Sequence, residues 1–377
     1  NYYFLYFIEC PMTFFIGLMS GTSMDGIDAA LVHMPSNTLK CGITKKYSDE
    51  LKQRIDDLIN GTHLSLASIC QLNTLIGKEF AGAVNELLQE ANIDAREIKA
   101  IGSHGQTVCH DTNCAIPYTL QLGCGHTISS LTGITVVADF RTRDLVNGGL
   151  GAPFAPLYHQ ELFNHCDLDI ALVNIGGISN ISFISPQQPT IGWDVGPGNC
   201  LMDSWINRHL GKSYDAGGNW AKQGTVISDL LERLLADPFF SMPAPKSIGK
   251  EYFSLDWLQC YLQKEYMPED IQASLLALTA HSIAFTVQNH QNKIKSLYLC
   301  GGGTHNTHLL NSLTQLLPGI EVDSIAKAGS SPDYLEAMMF AWLAAQTMEY
   351  KPVNLTAITG SKDPAILGAV YPIIKSY

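Results

Sequence analysis

The chain has 377 residues, of which 46% are hydrophobic and 15% charged, a balance typical of a well-packed enzyme with about two domains. Its formal net charge of −12 excludes a general nucleic-acid role, because binding to a duplex needs a basic protein face. The 10 cysteines show no regular disulfide spacing, which favours a reducing, cytoplasmic location.

The chain begins with a hydrophobic stretch, residues 2–8, that lacks the basic start and small-residue exit of a cleaved signal peptide. We therefore expect residues 1–11 to be an extension that carries no function. No stretch of the sequence is long and apolar enough to predict a membrane span.

The next elements, over residues 14–32, are predicted to be a strand, a tight polar turn and a second strand. Gly21 and Gly26 allow turn conformations that other residues avoid, and successive turn amides can wrap a phosphate. Asp25 and Asp28 would repel a bare phosphate but suit a hard cation such as magnesium. The motif predicts a nucleotide-binding turn, with an ordinary Asp-Gly hairpin as the alternative.

Strands and helices then alternate, which predicts an α/β fold. Apolar residues recur at helical spacing over residues 48–92, and short buried strands end near residues 102 and 138. A glycine-rich crossing at residues 147–153 predicts a domain boundary. Residues 168–184 repeat the order strand, glycine turn, strand, so we expect two similar domains that face each other across a nucleotide.

Eight motifs in a fixed order carry a resemblance to a known family. They occupy residues 17–26, 102–107, 138–141, 148–153, 174–180, 194–199, 301–306 and 331–337. As an ordered set they resemble the anhydro-N-acetylmuramic acid kinase family, within the sugar kinase, heat-shock protein and actin superfamily. The match runs from about Met12 to the C-terminus.

The resemblance implies a two-domain, actin-like (ribonuclease H-like) α/β ATPase fold with the nucleotide in the interdomain cleft. The predicted N-terminal domain comprises residues 12–145 and about 350–377, and the C-terminal domain comprises residues 146–349. The implied activity is ATP- and magnesium-dependent opening of 1,6-anhydro-N-acetylmuramic acid by water, with phosphorylation to the 6-phosphate during peptidoglycan recycling. The implied partners are a small amino sugar and a second copy of the chain, with no nucleic acid and no membrane.

The resemblance also assigns the nucleotide-binding residues, and the magnesium ligands stay unknown. The ATP phosphates are assigned to the first turn, Gly21, Thr22, Ser23, Met24, Asp25, Gly26, Ile27 and Asp28, and to the second turn, Gly176, Gly177, Ser179 and Asn180. The adenosine is assigned to Gly301, Gly302 and Gly303. The alternatives are a tight turn between core strands at 176–180 and a flexible helix entry at 301–303.

Asp194 is the predicted catalytic base, since a carboxylate can take a proton from water as that water attacks the anomeric carbon. The alternative is an Asp that only caps the following Gly-Pro-Gly turn. Arg141 is predicted to bind the sugar's lactyl carboxylate, or else to pair with Asp139. His104 and Glu336 are further candidates for sugar contacts, with a structural histidine and a helix N-terminal carboxylate as the alternatives.

Three rival interpretations remain open from the residues alone. Cys109, Cys114, Cys124 and His126 lie close in sequence, but their spacing does not match that of paired zinc ligands. A chaperone- or filament-like ATPase of the same fold is the main alternative function. A dinucleotide oxidoreductase would rest on the three glycines at 301–303, without the full dinucleotide fingerprint.

Overall fold

The computed structural model describes residues 13–21, 26–59, 61, 65–112, 114–164, 166–186, 188–244, 246–248, 252–290 and 293–373. These residues form two compact units. Unit 1 contains the described residues up to Ala152 and from Glu336 onward, and unit 2 contains Pro153–Leu335. Within these ranges no helix has both the length and the apolar character needed to cross a bilayer.

Strands and helices alternate along the described chain. The strands are β1 Thr13–Ser20, β2 Ile27–Met34, β3 Thr38–Lys45, β4 Ile98–Asp111, β5 Tyr118–Leu122, β6 Val136–Ala138, β7 Ile170–Ile175, β8 Ile178–Ser185, β9 Gln188–Pro197, β10 Ser296–Cys300, β11 Glu321–Ser324 and β12 Ala369–Tyr371. The helices are α1 Asp49–Ile59, α2 Leu66–Ala91, α3 Gly125–Thr132, α4 Phe140–Val146, α5 Ala155–Leu162, α6 Cys200–Leu210, α7 Ser228–Leu235, α8 Pro238–Ser241, α9 Leu255–Gln259, α10 Pro268–Gln288, α11 Thr307–Leu316 and α12 Leu335–Met348.

Each unit contains one mixed sheet, and the two sheets share a strand order. In unit 1 the order is β12-β6-β4-β1-β2-β3, with β5 paired to β4, and in unit 2 it is β11-β10-β7-β8-β9. In unit 1, β2 pairs antiparallel with both β1 and β3, and β1 pairs in parallel with β4. In unit 2, β8 pairs antiparallel with both β7 and β9, and β7 pairs in parallel with β10. The predicted α/β fold with two similar halves is therefore confirmed.

Buried strand centres and long apolar helices build the two cores. The middle of β1 is buried, and α2 packs on the same sheet, chiefly against β2 and β3, with a face of buried apolar side chains. Ser65 begins α2 by accepting a hydrogen bond from the Ser68 amide, and Asn92 ends it in a left-handed conformation. In unit 2 the 21-residue α10 is buried almost all round, which is typical of a helix enclosed by a core.

Helix α12 lies directly on the sheet of unit 1 because two paired strands present glycines to it. Gly17 in β1 and Gly102 in β4 are register partners. A Cβ on Gly17 would overlap the carbonyl oxygen of Ala337, and one on Gly102 would overlap the carbonyl oxygen of Phe340. The close approach fixes the N-terminal end of α12, where Glu336 lies.

We predict that Gly102→Ala destabilises the protein by about 3 kcal/mol, since helix and strand must move apart to admit the methyl group. Chemical denaturation followed by circular dichroism measures the effect. Gly82→Ala is the control, because a Cβ on Gly82 in α2 would meet only the flexible end of Lys45. A Gly102→Ala protein as stable as the wild type would show that the helix does not depend on this contact.

Candidate active site

The turn after β1 is held at both of its ends, although Thr22, Ser23, Met24 and Asp25 lie outside the described residues. The Ser20 hydroxyl lies 3.1 Å from the Gly26 carbonyl oxygen and 2.7 Å from Oε1 of Gln106. The Gln106 amide nitrogen donates to the Gly21 carbonyl at 3.3 Å. Gln106 is fully buried, so it links the start of the predicted phosphate loop to the sheet.

His104 and Arg141 form a hydrogen-bonded pair in unit 1. Arg141 donates to Nε2 of His104 from Nε at 3.1 Å and from Nη2 at 2.9 Å. A ring whose Nε2 accepts carries its proton on Nδ1 and is neutral. Burial, and then the Arg141 charge, lower the pKa of His104 to about 3, which keeps the ring neutral at physiological pH.

Arg141 stays cationic and is fixed by its surroundings. Burial lowers the pKa of Arg141 to about 10, and the charge of Glu336 opposes that shift. Phe340 of α12 packs against the His104 ring, with ring centroids 4.8 Å apart, and also against Phe140 at 5.5 Å. The guanidinium is therefore oriented by a neutral acceptor that α12 in turn supports.

Glu336 and Asp28 bring two carboxylates toward this pair. Desolvation of the Glu336 carboxyl, and then the charge of Asp28, raise its pKa, while the charge of Arg141 opposes the shift. Asp28 accepts a hydrogen bond from the Thr44 hydroxyl at 2.6 Å. The three predicted sugar-contact residues, His104, Arg141 and Glu336, thus lie in one cluster with Asp28 of the predicted phosphate loop.

In unit 2 the glycine turn between β7 and β8 is tied to the turn after β9. The amides of Gly198 and Asn199 donate to the carbonyls of Gly177 and Gly176, both at 2.8 Å. Ser179 is fully buried beside Gly198, and Asn180 is half-buried in β8. The carbonyls of this turn are therefore directed into the unit.

Asp194 is held by a segment distant in sequence. Its Oδ2 accepts from the Ser247 hydroxyl at 3.0 Å and from the Ile248 amide at 2.9 Å, and its own amide donates to the Lys246 carbonyl at 2.9 Å. Burial raises the pKa of Asp194, and the two donors oppose that shift. Both donors to this carboxylate from described residues lie outside the Gly-Pro-Gly turn, so the Asp194 side chain is held by the 246–248 segment and not by that turn.

A bulge in β9 aims this carboxylate. Asn180 of β8 pairs with Asp194 whereas Ser179 pairs with Gly196, so Val195 is an additional residue in β9. Such a bulge bends the strand and redirects the side chains next to it. The sequence shows no motif that links Asp194 to residues 246–248, so Ser247 and Ile248 are missed without the fold.

The glycines at 301–303 have different surroundings. Gly301 has φ +78°, and side chains at Gly301 and Gly303 would collide with Asn174 and Ile175 at the end of β7. A Cβ on Gly302 would meet only the side-chain nitrogen of Asn199, at 3.9 Å, so this glycine has an open side. Close packing on β7 therefore accounts for two of the three glycines, and a flat wall for adenosine stays a prediction.

No group of three or more His, Cys, Asp or Glu side chains that could hold a metal occurs among the described residues. The four candidate zinc ligands, Cys109, Cys114, Cys124 and His126, therefore do not form such a group. His305 pairs with Asp333 at 2.7 Å and links the end of the 301–303 turn to the loop before α12.

Comparisons with known proteins identify a family. Residues 13–373 match the family model for anhydro-N-acetylmuramic acid kinase. The anhydro-N-acetylmuramic acid kinase of Legionella pneumophila (strain Corby) is 69% identical over 366 residues, 97% of this chain and 100% of the relative. That of Coxiella burnetii (strain Dugway 5J108-111) is 46% identical over 364 residues, covering 96% and 98%.

Solved structures resemble this chain at much lower sequence identity. Component A of (R)-2-hydroxyglutaryl-CoA dehydratase from Acidaminococcus fermentans is 12% identical with a TM-score of 0.46, covering 87% of this chain and 96% of that one. A ROK family glucokinase from Streptomyces griseus is 12% identical with a TM-score of 0.40, covering 88% and 99%. On the family match and the two relatives that span nearly its whole length, the chain belongs to the anhydro-N-acetylmuramic acid kinase family.

Proposed function

We propose that this protein is an ATP-dependent kinase that opens 1,6-anhydro-N-acetylmuramic acid with water and phosphorylates it to N-acetylmuramic acid 6-phosphate, in peptidoglycan recycling. Family membership supports this activity over a chaperone- or filament-like ATPase. The structural observation that carries the proposal is Asp194, a half-buried carboxylate with a raised pKa, held by two donors on one oxygen.

The proposed reaction balances without a redox partner. A water molecule attacks the anomeric carbon while Asp194 takes one of its protons. The bond between that carbon and the bridging oxygen at carbon 6 breaks, and the electron pair stays on that oxygen. The oxygen then attacks the γ-phosphorus of ATP, and ADP leaves. Asp194 afterwards returns the proton to solvent, so each turnover consumes one water and one ATP.

Arg141 is the proposed partner of the sugar's lactyl carboxylate. Two of its N–H groups are held by His104, which sets the plane of the guanidinium and leaves its other donors for an anion. A planar fork of donors suits a carboxylate better than a point charge does. Glu336, with its raised pKa, is proposed to contact a sugar hydroxyl beside this group.

The triphosphate is proposed to bind the turns at 21–28 and 176–180 together with magnesium. Magnesium prefers oxygen ligands, and the Asp28 carboxylate, whose charge adds to burial in raising the pKa of Glu336, is a donor of that type at the end of the first turn. When bound, the cation would neutralise charge on the phosphates. A cytoplasmic homodimer is the proposed state of the enzyme, by analogy with the family.

We predict that Asp194→Asn lowers turnover by about 10²–10⁴-fold, the usual contribution of a general base, while ATP still binds. The assay is ADP formation with and without the anhydro sugar, alongside nucleotide titration. Asp167→Asn, an exposed carboxylate in the same unit, is the control and keeps full activity. Near-normal turnover in Asp194→Asn would remove Asp194 from this role, and ADP formation that ignores the sugar would favour a different ATPase.

We predict that Arg141→Met raises the KM for the anhydro sugar at least about tenfold, as expected for loss of a charged hydrogen bond. The wild type should prefer the free lactyl acid over its methyl ester, and the variant should lose that preference. Arg143→Met, an exposed arginine two residues along α4, is the control. An unchanged preference in Arg141→Met would place carboxylate recognition elsewhere.

A further inference from the structure

The segment of residues 246–248 lies against β9 like a short added strand. The Asp194 amide donates to the Lys246 carbonyl, and the Ile248 amide donates back to the Asp194 side chain. Ser247 adds its hydroxyl to the same oxygen. The backbone link fixes where the segment lies, so the donors are aimed at Asp194 by the chain and not only by the serine rotamer.

The segment is itself anchored through Lys246. The Lys246 ammonium donates to the carbonyls of Phe239 at 2.8 Å and Phe240 at 3.3 Å, at the end of α8, and lies 4.4 Å from the centroid of the Phe239 ring. These contacts place a charge where helix carbonyls favour it. The position of Ser247 is thus tied to α8.

A buried carboxylate holds α8 in turn. Asp237 begins the helix by accepting from the Phe239 amide at 2.9 Å. It also accepts from Trp257 Nε1 at 2.9 Å and from the hydroxyl of Tyr252 at 3.0 Å. The Phe239 amide is local to the helix, whereas Tyr252 and Trp257 lie 15 and 20 residues after Asp237, so the anchor joins α8 to the segment that leads into α9.

All hydrogen bonds to the Asp194 carboxylate from described residues fall on Oδ2. Two donors on one oxygen fix the rotation of the carboxylate and direct Oδ1 away from the segment. We propose that Ser247 is a positioning residue that orients Asp194 so that Oδ1 receives the proton from water. This inference rests on the proposed role of Asp194 as the general base.

Among the described residues, no charged side chain shifts the pKa of Asp194 more than the Ser247 and Ile248 donors do. Strand β9 packs against α5, α8 and α10. The titratable groups on those elements, on the cap of α8 and on the segment are Tyr158, His159, Glu161, Asp237, Lys246, Glu269, Asp270 and His281. The causes of the raised pKa of Asp194 are burial, opposed by Ile248 and then Ser247. A change at Ser247 therefore acts on Asp194 directly.

The test compares Ser247→Ala with Ser247→Thr, which keeps a hydroxyl. In Ser247→Ala we expect kcat to fall about tenfold, the scale of one hydrogen bond to a charged group, with the KM for the sugar unchanged. Losing a donor to the ionised form raises the pKa of the base, so the acid limb of kcat/KM moves up by about one pH unit. Ser247→Thr restores most of both values.

Ser241→Ala, an exposed serine in α8, is the matched control, and thermal unfolding checks that all variants fold. In an Asp194→Asn background Ser247→Ala should have no further effect on turnover. If Asp194→Asn is inactive while Ser247→Ala keeps the wild-type kcat and acid limb, the inference about Ser247 fails and the proposed base survives. If Asp194→Asn stays active, the proposed function of Asp194 fails first. A fall in kcat without movement of the acid limb also overturns the inference.

Discussion

Two hydrogen bonds to one carboxylate oxygen are the constraint on which the chemistry proposed for unit 2 depends. Asp194 lies in β9, and its donors, Ser247 and Ile248, lie 53 and 54 residues later. The β9 bulge and the anchored segment together keep a half-buried carboxylate in one orientation. A base that must meet one water molecule at one carbon needs this, because a freely rotating carboxylate would present its proton-accepting oxygen only part of the time.

In unit 1 the candidate site residues are held in place by close packing of one backbone against another. Gly17 and Gly102 let α12 rest on the sheet, and Phe340 of that helix supports the neutral His104 ring. His104 in turn accepts from Arg141, whose charge survives burial because its pKa falls only to about 10. Helix α12 thus supports His104, which orients the Arg141 cation, and the position of Glu336 follows from the two glycines on which the helix rests.

Much of the fold could be predicted because local patterns of apolar residues and glycines in the sequence indicate its strands and turns. The repeated order of strand, glycine turn and strand indicates the shared strand order of the two sheets. Arg141 stands out because it follows a buried strand, and Asp194 because it precedes a Gly-Pro-Gly turn. Ser247 does not, since an isolated serine has no pattern that reveals a distant partner, and the 102–107 motif that contains Gln106 does not show that this side chain reaches Ser20 and Gly21.

Glycines are the other limit of prediction from the sequence. A glycine that approaches a ligand and one that approaches neighbouring backbone look alike in sequence. At 301 and 303 the Cβ positions are filled by residues of β7, so packing explains both without a nucleotide. Gly302 has an open side, and the assignment of the whole turn to adenosine therefore stays a prediction.

In the proposed reaction Asp194 directs water to the sugar while the oxygen released from the anomeric carbon takes the phosphoryl group. The sharpest test is mass spectrometry of the products formed in ¹⁸O-labelled water, sampled before the product sugar exchanges oxygen with solvent. We expect one labelled oxygen in the sugar part of the phosphorylated product and none in its phosphate. Label found in released inorganic phosphate, with an unlabelled sugar, would contradict this reaction.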